Sequence, residues 1–179
     1  MAERVASKAS PSMSPNVTNR PLTPADFPAV SRLHATVFGP GRFTRTAYRV
    51  REGAPAFSPY CRVAMLGERL IAAVRFTPIT VGGEGGALLL GPLAVDPEFA
   101  GQGFGKRLIS EAMEAARTDG VRLVLLVGDE PYYGRFGFRP VPPGQITLPG
   151  PVDPRRLLAA ELIPGALARS CGPTAGQRA

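Results

Sequence analysis

The residues able to do chemistry concentrate in one run, LGPLAVDPEFAGQGFGKRLISEA, residues 90–112. Gly101, Gly103 and Gly105 alternate at the start of a stretch with helical periodicity, and Lys106 and Arg107 lie just inside it. Without side chains, glycines let backbone N–H groups converge on one point, where the helix N-terminus adds positive potential. That combination suits a pyrophosphate. The plainer reading is a glycine turn that merely redirects the chain. Two more specific phosphate loops compete. GxxxxGK[ST] fails twice, with Ala100 in place of its first glycine and Arg107 in place of its hydroxyl. The dinucleotide fingerprint GxGxxG follows a strand directly, whereas here GxGxG follows a five-residue loop, although Asp129 does lie beyond the next strand.

Other chemistries are poorly supplied. His34 is the one histidine, and Cys61 and Cys171 are far apart without CxxC spacing. A metal site and a disulfide framework are therefore not expected, and a reducing compartment suits the chain. The polar, Ser/Pro-rich N-terminus has no signal-peptide core, and no run approaches the roughly 20 apolar residues that cross a bilayer. A cytoplasmic location is the expectation. The net charge is +7, of which residues 1–20 and 151–179 contribute +2 each. Charge so spread, with no Trp, argues against a nucleic-acid face. Four arginines do cluster: Arg42, Arg45, Arg49 and Arg51. They read either as exposed charge or as a reader of an anionic ligand.

Positioning these residues takes a series of elements. Arg20-Pro21-Leu22 reads as a short edge strand. Thr23-Pro24 caps a helix whose face repeats through Phe27, Val30, Leu33, His34 and Val37. The basic segment RFTRTAYRVREG follows as a second, short helix. Tyr60–Leu66 and Leu70–Val81 form a hairpin across Gly67-Glu68, and Ala87–Val95 is a third strand interrupted by Gly91-Pro92. Phe104–Arg117 is a helix through Leu108, Ile109, Ala112 and Ala116, stopped by Asp119-Gly120. Val121–Val127 is a buried strand, Glu130–Phe136 a short helix, and more sheet follows Phe138. Gln145–Leu148 reads as a strand, and Asp153-Pro154 as the cap of a helix through Leu157, Leu158 and Leu162. Hairpins followed by a strand–helix–strand crossover imply an α/β protein with a mixed sheet. The expected domain runs over 20–169, between a disordered leader (1–19) and a disordered tail (170–179).

The run LAVDPEFAGQGFGKRL resembles the acyl-CoA loop of the GNAT superfamily of N-acetyltransferases, [QR]xxGx[GA], with Gly103 and Gly105 on its last two fixed positions. Ala100 departs from the usual Arg or Gln; this removes a side chain but no backbone donor. Tyr132-Tyr133-Gly134-Arg135-Phe136-Gly137-Phe138 resembles the family's [FY]Yx[KR]xGF segment. The two motifs stand in the family's order, with a helix and a strand between them. The likeness covers roughly 20–141, and GDEPYYGRFGF, FGPGRFTRTAYRVREG and ITLPGPVDPRRLL are similar to the YhbS-like bacterial branch.

The resemblance implies a mostly antiparallel central sheet flanked by helices, with a V-shaped opening between the strands at 87–95 and 121–127. It implies an acetyl-CoA-dependent N-acetyltransferase with an amine acceptor and no metal, nucleic-acid or membrane partner; a homodimer is compatible with it. By the same resemblance the cofactor's pantetheine arm pairs with Leu93, Ala94 and Val95. Its pyrophosphate rests on Gly101, Gln102, Gly103, Phe104, Gly105 and Lys106, with Arg135 added from the second motif. Tyr133 takes the general-acid position beside the sulfur, and Tyr132 is left to packing. The general base has no motif; Glu52, Glu84, His34 and Asp129 are candidates, with a water chain as the alternative. A catalytically idle acyl-CoA sensor and an acyltransferase fed by acyl carrier protein are the competing functions.

Overall fold

The chain returns on itself three times, first across a long connection that carries two helices and then in two tight hairpins. The computed structural model describes residues 16–41 and 46–178. Strands β1 (Val17–Pro21), β2 (Arg62–Leu66), β3 (Arg69–Val81) and β4 (Glu84–Val95) pair antiparallel in that order. Gly82 and Gly83, at φ 59° and 87°, make the tight β3–β4 turn, whose twist requires left-handed backbone at both positions. Helix α3 (Phe104–Thr118) then crosses over to β5 (Leu123–Val127), which runs parallel to β4. A parallel partner requires such a crossover. After α4 (Glu130–Tyr133), strands β6 (Arg139–Pro140), β7 (Ile146–Thr147), β8 (Leu157–Glu161) and β9 (Gly172–Gly176) complete a mostly antiparallel sheet of order β1-β2-β3-β4-β5-β8-β6, with β9 joining β3 to β7.

β4 and β5 pair only from Ala87/Leu123 to Leu89/Leu125, yet β4 continues to Val95 and β5 to Val127. The two strands part there, which is the V-shaped opening that the resemblance implies. On one face of the sheet α3 buries Leu108, Ile109, Ala112 and Ala116 against Ala72, Val74, Phe76 and Leu90. The other face carries two clusters. Helix α1 (Phe27–Phe38) sets Val30 and Leu33 over Val63, Ala73 and Ala94. Farther along the strands, α2 (Thr46–Val50) sets Val50 among Ile79, Leu89, Leu123 and Leu125. Asp26 ties β1 to α1: it accepts from Arg20 at 2.7 and 2.8 Å and from the Thr23 N–H at 2.8 Å.

Three expectations need correction. Val17–Asn19, assigned to a disordered leader, belong to β1; Asn16 immediately precedes that strand, and residues 1–15 of the assignment lie outside the described residues. The helix expected through Leu157, Leu158 and Leu162 is strand β8. Leu158 and Ala160 enter one core cluster while Leu157 and Ala159 enter the other, and a run buried on both faces has no period that separates strand from helix. Asp153-Pro154 caps only a single turn, Pro154–Arg156. The expected disordered tail contains β9, which pairs with Ile79–Val81 where β3 extends beyond β2. Its sequence, GPTAG, has little strand propensity, and tertiary pairing overrides it.

Candidate functional site

The β3–β4 ladder decides which backbone groups face the opening. Ala72, Ala73 and Val74 stand opposite Val95, Ala94 and Leu93, and the Asp96 N–H donates to the Ile71 carbonyl at 2.8 Å. Bonded and non-bonded pairs alternate along an antiparallel ladder. Since Ile71/Asp96 is bonded, Ala73/Ala94 is the next bonded pair, and β3 engages the N–H and C=O of Ala94. Those of Leu93 and Val95 point the other way, into the opening. This corrects the reading of all three as partners for a ligand strand: Ala94 has no backbone to offer, and its side chain is buried with α1. The register slips between Val74/Leu93 and Phe76/Leu90, leaving Arg75 opposite both Gly91 and Pro92. That β-bulge lies where β4 parts from β5.

The glycine loop stands at the end of the same strand. Asp96 accepts from the Glu98 N–H at 3.0 Å, and Arg69 holds the Asp96 and Glu98 carboxylates at 2.8 and 2.7 Å. Gly101 and Gly103 have φ of 75° and 85°, with no atom within 4 Å of where a Cβ would stand. Backbone shape, not crowding, demands glycine there. A methyl on Gly105 would come within 3.3 Å of the Leu93 and Val95 side chains, so α3 begins tightly against the two residues whose backbone faces the opening. The first helical bond runs from the Arg107 N–H to the Gly103 carbonyl, which leaves the N–H groups of Phe104, Gly105 and Lys106 unclaimed. Lys106 and Arg107 are exposed.

Across the opening, Tyr133 lies on Gly128, just past β5. A Cβ at Gly128 would stand 2.5 Å from a carbon of the tyrosine ring. The ring also meets Phe138 edge-on at 6.0 Å and Tyr132 at 4.8 Å. Burial, then the neighbouring Tyr132 and Asp129, pushes the Tyr133 phenol up to about 12. The hydroxyl is therefore protonated at physiological pH and has a proton to donate. The expected division of labour is partly reversed: Tyr133 packs against the core, while Tyr132 is 37% exposed. Adjacent helical residues diverge by about 100°, and Tyr133 is the one turned inward. Arg135 stacks on Tyr132 at 5.2 Å.

The base candidates disperse. Glu84 sits at the β3–β4 turn, 3.7 Å from Arg122. Asp129 occupies the N-cap of α4, but its carboxylate accepts from Arg156 at 3.1 Å instead of capping. His34 is half-buried on α1 with its ring 5.7 Å from that of Phe38, and Glu52 is exposed. Of the arginine cluster, Arg42 and Arg45 lie outside the described residues and Arg49 is exposed. Arg51 turns inward and donates to the Gly91 carbonyl at the bulge. Sequence reading missed Arg75 and Thr77, which flank it on β3; a lone charge inside the apolar run LIAAVRFTPITV was the available signal.

Comparison with known proteins is consistent with this arrangement. The model of the acetyltransferase (GNAT) family matches residues 27–138. The uncharacterized N-acetyltransferase YhbS of Escherichia coli (strain K12) is 32% identical over 117 residues, which is 64% of this chain and 69% of that protein. Its crystal structure in complex with CoA superimposes with a TM-score of 0.76 at 26% identity, covering 90% of this chain and 89% of that one. A GNAT family acetyltransferase from Brucella melitensis, in complex with acetyl-CoA, gives a TM-score of 0.60 at 25% identity, covering 82% of this chain and 97% of its own.

Proposed function

Because the chain belongs to the acetyltransferase (GNAT) family, we propose that it transfers an acetyl group from acetyl-CoA to a primary amine by direct attack. One observation carries this reading. The backbone of Leu93 and Val95 faces an opening in the sheet, and the free N–H groups at the start of α3 lie against the same two residues. A pantetheine arm carries amides that can pair with Leu93 and Val95 as a further strand would, and its pyrophosphate can rest on Gly101–Lys106. Arg135, exposed and stacked on Tyr132, completes the proposed cofactor contacts.

The chemistry then follows the opening. Pro92 has no N–H, so the Leu93 N–H is the first beyond the bulge able to polarise a thioester carbonyl. The amine nitrogen attacks that carbonyl carbon, the C–S bond breaks, and the Tyr133 phenol supplies a proton to the departing thiolate. The amine's surplus proton leaves through water, since the carboxylates of Asp129 and Glu84 are already paired.

The test is a pair of variants assayed for thiol release against a panel of amines. Tyr133→Phe keeps the ring on Gly128 and Phe138 but removes the donor, and turnover is expected to fall roughly ten- to a thousandfold. Tyr132→Phe is expected to leave turnover nearly intact. Equal, small losses would assign the proton to water. Tight CoA binding without transfer to any amine would favour an acyl-CoA sensor.

A further inference from the structure

On the face of the sheet away from α3, a polar seam separates the α1 and α2 clusters. Ala73 belongs to the first cluster and Ile79 to the second; Arg75 and Thr77, between them on β3, share that face by strand alternation. Arg51, one residue beyond α2, reaches the seam and donates to the Gly91 carbonyl at the bulge. Arg75 donates to the Ala56 carbonyl. Buried polar atoms without a hydrogen-bond partner gather here: Arg51 Nε, Arg75 Nε and Thr77 Oγ1, the threonine being 1% exposed. Neither guanidinium forms an ion pair among the described residues. Burial first, and the charge of Arg75 second, pulls Arg51 down to about 10. Two like charges, one of them desolvated and each with a buried Nε left without a partner, destabilise a fold unless an anion joins them.

We propose that this seam is the acceptor's anchoring site and that it takes a carboxylate, so that the acceptor is an amine that also carries a carboxyl group. The proposal rests on the acetyltransferase reading and adds the acceptor's class. A planar carboxylate matches the forked donors of two guanidiniums, and Thr77 Oγ1 can donate as a third group. The bulge beneath Arg51 lies just before Leu93, whose N–H faces the thioester position, so an acceptor held at the seam has its amine near the reacting carbon. The cofactor's own phosphates are not the anion in question. Their proposed place is the start of α3, on the opposite face, and the four residue steps from Gly91 to Val95 alone extend roughly 13 Å.

The test uses amino acids and their carboxamides as matched acceptors for the full chain with acetyl-CoA, read by thiol release and by thermal shift with CoA present. The wild type is expected to favour the acid over its amide by at least about tenfold in kcat/KM. That ratio is expected to collapse towards one in Arg51→Met and in Arg75→Gln. The free Arg51→Met protein is expected to melt higher by roughly 2–4 °C, since an unpaired buried charge has been removed; a lower melting temperature would make Arg51 a brace for the bulge and overturn the proposal. Equal transfer to acids and amides would overturn it while leaving the acetyltransferase reading intact. Stabilisation by carboxylates that is lost in Arg51→Met, without any transfer, would keep the seam and remove the enzyme. No transfer and no carboxylate-dependent stabilisation would overturn the seam.

Discussion

The two faces of the sheet at the β4 bulge offer different means of recognition. On the α3 face the groups proposed for recognition are backbone amides, presented by Leu93, Val95 and the glycine loop, and the side chains mainly set distances. On the α1/α2 face they are side chains, Arg51, Arg75 and Thr77, brought together from two stretches some two dozen residues apart. Backbone recognition depends on shape and tolerates changes of residue type wherever φ allows. Side-chain recognition can be retuned by a single substitution. One face therefore suits a constant co-substrate and the other a variable acceptor.

The largest effect expected outside the seam comes from adding one methyl group. Gly128→Ala would put a Cβ 2.5 Å from the Tyr133 ring, displacing the phenol without touching the glycine loop. Turnover is expected to fall about as far as in Tyr133→Phe, roughly ten- to a thousandfold, while CoA affinity measured by calorimetry stays level. A parallel loss of affinity would mean that the two arms of the opening are not separable.

Next in size is charge at the start of α3. Reversing Lys106 and Arg107 together to glutamate is expected to weaken CoA binding roughly ten- to a hundredfold, with the difference shrinking as salt rises. Arg75→Gln, on the other face, is expected to leave CoA affinity unchanged. A salt-dependent loss there would erase the distinction between the faces.

Asp26→Asn tests what holds α1 in place beside the seam. Asp26 is buried and accepts from Arg20 and Thr23, so about 2 kcal/mol of stability is expected to be lost at neutral pH by chemical denaturation. The Arg20 guanidinium, first among the causes, holds the Asp26 carboxyl well below the usual carboxylate range. A depressed carboxyl gives stability that is full above its unfolded value, near 3.9, and is lost as pH falls towards its folded value. The gap between wild type and variant is therefore expected to narrow on acidification from about pH 4 downwards. The smallest expected effect is an absence. With Tyr133 at about 12, its ionisation is expected to cause no fall in turnover near pH 10, where an ordinary phenol would begin to lose its proton.

The legibility of the sequence follows the same division between backbone and side chain. The glycine alternation, the Tyr132–Phe138 segment and the hairpin turns are local signals; the turns imply the mixed sheet, and the family resemblance that the two motifs carry implies its opening. Ala94 was misread because bonded and non-bonded pairs alternate along the ladder, and the phase is set by β3. β8 was misread because a run buried on both faces has no period, and β9 because its pairing partner lies some ninety residues upstream. Tyr132 and Tyr133 could be told apart only once Gly128 and Phe138 stood beside one of them. The seam was half visible: Arg51 lay in the basic segment, but its neighbour Arg75 was hidden in an apolar strand.

The most direct test is calorimetric titration of acetyl-CoA into the wild type and a folded Gly103→Glu variant. Gly103 starts α3 in left-handed backbone at φ 85°, and glutamate there adds bulk and negative charge where the pyrophosphate is proposed to rest. The wild type is expected to bind and the variant, with its fold verified by circular dichroism, to bind at least about a hundredfold more weakly. Unchanged affinity in the folded variant would contradict that placement, and the start of α3 would not be the cofactor's anchor.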